Sequence, residues 1–429
     1  MAPEPVASRR RYGRWALLGL ILVLLGLTGW FAREKWAARA HLERGKAALE
    51  ADDPTTARSL LNDYLARWPG NAEANFRSAQ AARRCGDLAE ASIRLDEAAR
   101  LGWDEAELEM ERALIRAQSG DLHSAEPTLF RWVIEERPGS RHVFAVLVPA
   151  LMAEFRWPES NALAAKWVEV DPQSALSWKD YGETLERLRR MTEAVNAFRK
   201  AAERDPEDRH ARFSLARLLV ETRQSTDEAA AHLEWLRGRA PGDSAVLVQL
   251  AACREVQGQT GQAEELLDQV IAAGSPPAKA FYHRGRLELD RGRPAAGVPF
   301  LRRASELDPG DLETLYALFQ CLRQSGTLAE AREAEERWKR AEADLKRVAE
   351  LGAAIAASPR DPDLRREMGE LFLRNGRERD GVRWLDSAVR ERPDHEPSRR
   401  LLADYYDRIG DPGLADFHRS FLKSANPKK

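Results

Sequence analysis

From residue 38 to the end of the chain, apolar side chains recur every three or four positions in short runs separated by breakers. That spacing marks amphipathic helices, each with one face turned to a core. In the segment from Ala175, one run carries Trp178, Tyr181, Leu185 and Leu188, and the next carries Ala194, Val195, Phe198, Ala201 and Ala202. Between runs lie turn pairs such as Gly86-Asp87, Gly120-Asp121, Gly258-Gln259 and Gly410-Asp411. Glycine adopts the left-handed conformation that ends a helix. Second runs close on Arg137-Pro138, Asp171-Pro172, Asp205-Pro206, Asp308-Pro309 and Arg392-Pro393, because proline has no amide hydrogen to continue the ladder. No stretch keeps the strict alternation of a half-buried strand, so the pattern predicts an all-α fold. Two stretches break the rhythm. Trp15 to Ala32 is an uncharged apolar run of 18 residues. Leu328 to Ala357 has no breaker except Gly352 and predicts one helix of about 30 residues.

The runs repeat with a period of 34 residues. Numbered from Ala175, Trp178 falls at position 4, Tyr181 at 7, Gly182 at 8, Leu185 at 11, Ala194 at 20, Phe198 at 24, Ala201 at 27 and Pro206 at 32. From Ala278, Phe281, Gly285, Leu301, Ala304 and Pro309 take positions 4, 8, 24, 27 and 32 in the same frame, with Leu287 alongside. From Pro362, Gly369, Phe372, Leu385, Ala388 and Pro393 do so, and from Ala38, Gly45, Ala57, Leu61 and Pro69. This pattern resembles the tetratricopeptide repeat, over about nine-tenths of the chain. The resemblance implies a right-handed superhelical solenoid of about eleven helix-turn-helix units, in which stacked hairpins bury the faces that one hairpin cannot. Units 1–9 are expected over residues 38–345 and units 10 and 11 over 362–429, with a helical spacer at 346–361, one spare residue at 106 and another in the unit from Arg209. Small residues at positions 8, 20 and 27 are expected to bring paired helices close together. The long helix either projects from the array or packs on its neighbours. Its residues Ala331, Trp338 and Leu345 are seven apart, as are Ala334, Ala341, Val348 and Ile355.

Composition narrows the function. The chain has 429 residues, 67 Lys plus Arg, 69 Asp plus Glu, a net charge of −2, three cysteines and a mean hydropathy of −0.54. Such a balance argues against a general nucleic-acid binder, a disulfide scaffold and a multi-span membrane protein. One span is expected: a helix over 15–32 is ~27 Å long, close to the ~30 Å hydrocarbon core. Trp15, Trp30 and Trp36 flank it, where indoles favour the interface. The core ends on Leu27-Thr28-Gly29-Trp30-Phe31-Ala32, a poor cleavage site, so the segment reads as an uncleaved anchor rather than a signal peptide. Residues 1–14 form a basic tail with Arg9, Arg10, Arg11 and Arg14. That cluster predicts a cytoplasmic N-terminus and an extracytoplasmic, periplasmic-type repeat body.

Catalytic chemistry finds no footing in the sequence. The eight histidines form no zinc-ligand spacing, and there is no phosphate loop, nucleophile elbow or dinucleotide fingerprint. Catalytic residues, metals and cofactors are therefore not expected. Cys85, Cys253 and Cys321 read as small buried side chains on first helices. Binding remains. The resemblance places first-helix positions 2, 5, 9, 12 and 13 on a concave groove that takes a protein or peptide partner. Candidate lining residues are Leu108, Glu111, Ile115, His142 and Met152 in an apolar segment, and Lys179, Arg217, Lys279, Tyr282, Arg286, Asp290, Tyr316 and Arg323 in a charged one. Some family members grip a C-terminal carboxylate with Lys-x-x-x-Asn. Here Lys179 is followed by Glu183 and Lys279 by His283, so that clamp is not expected. The expected work is non-catalytic: a membrane-anchored interaction scaffold or assembly factor. The alternatives are a component of envelope polysaccharide or secretion machinery, or a cytosol-facing adaptor recruiting chaperones or proteases.

Overall fold

The structure, a computed structural model, describes residues 39–137 and 139–424. The apolar run at 15–32 lies outside the described residues, and none of the described helices is long and apolar enough to cross a membrane. The described chain is a succession of helical hairpins without strands. In the first three, residues 39–50 (α1) pair with Pro54–Leu65 (α2), Ala72–Arg84 (α3) with Leu88–Arg100 (α4), and Glu105–Gln118 (α5) with Leu122–Ile134 (α6); Ser140–Ala153 (α7) and Trp157–Val170 (α8) come fourth in the order, joined by a three-residue turn. Then follow Ala175–Arg187 (α9) with Met191–Arg204 (α10), Arg209–Glu221 (α11) with Thr226–Arg239 (α12), and Ser244–Val256 (α13) with Thr260–Ala272 (α14). The last four hairpins are Ala278–Asp290 (α15) with Pro294–Leu307 (α16), Leu312–Gln324 (α17) with Leu328–Ala357 (α18), Pro362–Arg374 (α19) with Glu378–Glu391 (α20), and Glu396–Arg408 (α21) with Pro412–Ser424 (α22).

The turns inside the hairpins keep the period. Their left-handed residues are Asp52, Gly86, Gly120, Phe155, Arg189, Arg223, Gly258, Gly292 and Gly326, spaced by 34 or 35. Gly376 and Gly410 follow after gaps of 50 and 34, so one gap holds a repeat plus the 16-residue spacer. The early spare residue lies between Gly120 and Phe155 rather than at 106: the loop between α6 and α7 is one residue longer than the loops before α5 and after α8. Aspartates start many of the helices: Asp53, Asp87, Asp104, Asp121, Asp208, Asp243, Asp311 and Asp361 each accept a bond from a first-turn amide.

Close approach inside a hairpin depends on the small residues at positions 8 and 20. A Cβ on Gly45, Gly182, Gly285 or Gly369 would stand 2.6–3.0 Å from Leu61, Phe198, Leu301 or Leu385, the large residue at position 24. In two hairpins glycine crosses glycine: Gly285 on Gly297, and Gly369 on Gly381.

The chain divides into two compact units, one ending at Ala150 and one beginning at Leu151. The division falls inside α7, and the spacer at 346–361 lies within the second unit. In both units hairpin partners pack together, and first helices also touch the next first helix, as α3 with α5 and α15 with α17. α18 runs unbroken from Leu328 to Ala357 and packs along its length. Ala334, Ala341 and Ile355 point inward, while Leu345 is exposed. In its extension Leu351 and Ile355 are buried with Met368 and Leu371 of α19 and Trp384 of α20. Cys253 and Cys321 are buried free thiols. Cys85 is exposed instead, because it caps the C-terminus of α3 rather than lying inside the helix.

Candidate functional site

Side-by-side first helices leave a cleft wherever neither contributes a side chain large enough to fill it. Between α15 and α17 a cavity of about 290 Å³ stays open. Its lining comes from α15 (Tyr282, Arg286, Leu289, Asp290) and α17 (Glu313, Tyr316, Ala317, Gln320). These are repeat positions 5, 9, 12 and 13 of one unit and 2, 5, 6 and 9 of the next. The volume is at the small end for ligand sites and suits one or two side chains of a peptide.

The lining is ordered by its own polar contacts. Arg286 Nη1 donates to the Tyr282 hydroxyl at 3.0 Å, and its Nε lies 3.8 Å from Asp290. Lys279 Nζ donates to Glu313 at 2.8 Å and Asp311 at 3.1 Å, and stands 4.8 Å over the Tyr282 ring. Burial alone would lower the Lys279 pKa, but Asp311 and Glu313 outweigh it and the net shift is upward. Burial, aided by the Glu313 charge, pushes the Tyr282 phenol up. Tyr316 is 42% exposed and leans on Trp338 of α18, with ring centroids 5.0 Å apart. Trp338 in turn stacks parallel to Phe319, and the Arg323 guanidinium sits 5.2 Å over that phenyl ring. The site therefore offers the exposed ring of Tyr316, an arginine fork with one weak carboxylate partner, and a floor of Leu289, Ala317 and the buried Tyr282. The lining residues include no nucleophile–base pair.

Of the residues expected on the lining, Tyr282, Arg286, Asp290 and Tyr316 meet in this cavity, with Lys279 and Arg323 beside it. Arg217 is engaged elsewhere, donating to Glu186 at 2.6 Å. Lys179 is half-buried on α9 beside Asp180, whose carboxyl burial raises to about 7. The apolar segment departs from expectation. Leu108 is fully buried against Phe76, Ala79, Leu95 and Ala98, with Ile115 packed on the same cluster. Glu111 is fully buried in an ion pair with Arg83. With the spare residue after Gly120, Leu108 and Glu111 stand at positions 3 and 6, which face the neighbouring helices and not the groove. His142 is half-buried, and Arg84 Nη2 lies 2.7 Å from its Nε2. Burial, then the charges of Arg84, Arg141 and Arg83, press the His142 pKa down to about 3, so the ring stays neutral and accepts that bond. Those four residues belong to the first unit, whereas Met152, half-buried on α7, belongs to the second. The cavity residues not singled out from sequence are Leu289, Glu313, Ala317 and Gln320. The first, second and last occupy groove positions 12, 2 and 9, so the repeat frame itself carried that signal. Ala317, at position 6, had none.

Comparison with known proteins agrees with the repeat. A tetratricopeptide repeat profile matches residues 42–106, 147–209, 182–244, 213–278 and 254–312, and a second profile of the same repeat matches 288–354. No curated protein matches the sequence. Among solved structures, a tetratricopeptide repeat protein from Parabacteroides merdae is 15% identical with a TM-score of 0.34, covering 67% of this chain and 99% of its own. YrrB, described as a tetratricopeptide protein with an unusual peptide-binding site, is 21% identical with a TM-score of 0.27, covering 48% and 98%. A fragment of MamA from Desulfovibrio magneticus is 16% identical with a TM-score of 0.36, covering 39% and 94%. The sequence profiles span more than half of the chain, and with the 34-residue recurrence of its turns they establish that the chain belongs to the tetratricopeptide repeat family.

Proposed function

We propose that the chain is a non-catalytic scaffold that holds a protein or peptide partner, anchored at the cavity between α15 and α17. Tetratricopeptide proteins are generally protein-interaction scaffolds. The observation that carries the reading here is the open cleft itself: Tyr282, Arg286 and Tyr316 converge on it, and tyrosine and arginine are enriched among residues that dominate binding energy. Tyr316 and Arg286 are exposed enough to be truncated without removing core. Peptides selected from a random display library on the full chain should therefore lose at least about tenfold in affinity for the Arg286→Ala/Tyr316→Ala double variant. Arg303→Ala, on the exposed face of α16, should leave binding unchanged. Equal affinity for all three proteins, measured by calorimetry, would refute the cavity as the anchor.

We further propose that residues 15–32 tether this scaffold to a lipid bilayer with the repeat body outside the cytoplasm. The tether would raise the effective concentration of membrane-bound partners. The uncharged run and the arginine cluster before it support this reading. In that place the scaffold would serve as an assembly factor, or within polysaccharide or secretion machinery. A reporter active only outside the cytoplasm, fused after Lys429, should be active. Activity of a cytoplasm-only reporter instead would reverse the orientation and favour an adaptor recruiting chaperones or proteases.

A further inference from the structure

In a repeat array each hairpin touches only its neighbours in sequence. In the second unit the turn between α7 and α8 departs from this: it meets α18, α19 and α20, about two hundred residues further along the chain. Phe155 lies flat on Trp384, with ring centroids 3.3 Å apart and planes 13° from parallel. Trp157 meets the same indole edge-on at 6.4 Å, and the Arg383 guanidinium lies 5.4 Å over Phe155. Both turn aromatics pack on the cluster of Leu351, Ile355, Met368, Leu371 and Trp384. Beside them Glu154 sits 3.4 Å from Arg390 and 3.7 Å from Arg365.

We propose that this turn is a reversible clasp, with Phe155 as its tongue and Trp384 as its seat, which closes the start of α8 onto the tenth hairpin. The backbone points to a residue retained for a distant contact. Phe155 occupies the left-handed turn position at φ +61°. The equivalent residue in the other hairpins is glycine, or the polar Asp52, Arg189 and Arg223. A bulky aromatic side chain is disfavoured there, and strain of that kind persists where surrounding structure enforces it. Here the enforcing structure is the far indole. Arg365 supplies the second strand of the argument. It is 1% exposed, donates to the Pro359 carbonyl at 2.8 Å, and lies between Glu154 and Glu391 at 3.7 and 3.6 Å. Its Nη1, the atom nearest Glu154, has no hydrogen-bond partner. Burial lowers its pKa, so the Glu154 charge matters to it.

Reversibility follows from how little is joined. The aromatic stack is tight, but both Glu154 contacts are longer than the 2.7–2.9 Å of a strong charge-assisted bond. The 16-residue extension of α18 is what α19 and α20 pack on, so it positions the seat. The cavity between α15 and α17 lies on the stretch of repeats between tongue and seat. Opening the clasp frees those repeats to change their mutual angles, and with them the width of the cavity. This consequence rests on the scaffold reading; the clasp itself does not.

The test is an electron–electron distance measurement on the full chain, with spin labels at Ala162→Cys on α8 and Arg379→Cys on α20, both exposed positions. Cys85 is replaced by Ser, and Cys253 and Cys321 are buried. The parent should give a short, narrow distance distribution, alone or with a minor longer component. Phe155→Gly should shift it to long and broad distances. This variant removes the ring and also suits the local backbone, so the hairpin itself keeps its fold. Glu154→Lys, which places a cation beside Arg365 and Arg390, should shift it the same way. An unchanged distribution in Phe155→Gly would overturn the clasp. A parent distribution already long and broad would do so too. Loss of the short distance when labelled chains are diluted with unlabelled ones would show that the contact joins two copies, and would also overturn it.

Discussion

Glu111→Ala is expected to be the most damaging single substitution in the first unit. The Glu111 carboxylate is fully enclosed between α3 and α5 and pairs with Arg83 Nε, itself almost fully buried. Deleting the carboxylate strands a guanidinium in the core. The cost of breaking such a pair is about 3–5 kcal/mol. Gln118 Oε1, 3.4 Å from Arg83 Nη1, is a neutral acceptor and replaces little of the lost charge. In an array stabilised by nearest neighbours the loss stays local. Amides of α3 and α5 should therefore exchange with solvent about a hundredfold faster or more, while those of α15 to α17 keep their wild-type protection. The pair Arg83→Met/Glu111→Leu, which removes both charges at similar volume, should recover most of the protection. Exchange in Glu111→Ala within about threefold of the parent would mean that the ion pair contributes little.

The second large effect has the opposite sign from what helix propensity alone predicts. Alanine is favoured over glycine inside a helix by about 0.5–1 kcal/mol. At Gly285, however, a methyl would stand 2.6 Å from Leu301 Cγ and 3.1 Å from the Gly297 carbonyl. Leu301 is fully buried and cannot swing away. Overpacking of this kind costs about 1–3 kcal/mol, so Gly285→Ala should destabilise the eighth hairpin. Gly352, in the extended part of α18, has nothing within 4 Å of its would-be Cβ. There the propensity term stands alone, and Gly352→Ala should stabilise by about 0.5–1 kcal/mol. Urea unfolding followed by circular dichroism distinguishes the two. Equal shifts of the same sign would mean that helices α15 and α16 yield to the added methyl.

Much of this was legible residue by residue. Gly182, Gly285 and Gly369 at position 8 announced close helix crossings, and each meets the large side chain at position 24. The absence of breakers after Leu328 announced the helix that ends at Ala357. The frame also located Tyr282, Arg286 and Tyr316 on neighbouring first helices, where they share a cavity. Leu108 and Glu111 are enclosed because the spare residue follows Gly120 instead of standing at 106, which moves them to positions 3 and 6. Position in a repeat says which way a side chain leaves its helix. A frame displaced by one residue turns a helix by about 100° and exchanges groove for interior. Arg83 meets Glu111 in that interior, and no pattern within one repeat encodes that pairing across 28 residues.

The sequence by itself determined the helices, their turns, the 34-residue period and the face on which each hairpin packs, because these depend on interactions within a repeat or between adjacent ones. The tertiary structure alone decided which groove positions stay open, that the extension of α18 packs rather than projects, and that Phe155 meets Trp384. Those outcomes depend on small angles between successive hairpins. Each angle is set by the volumes of a few interlocking side chains, and their sum over six repeats brings two distant rings to contact.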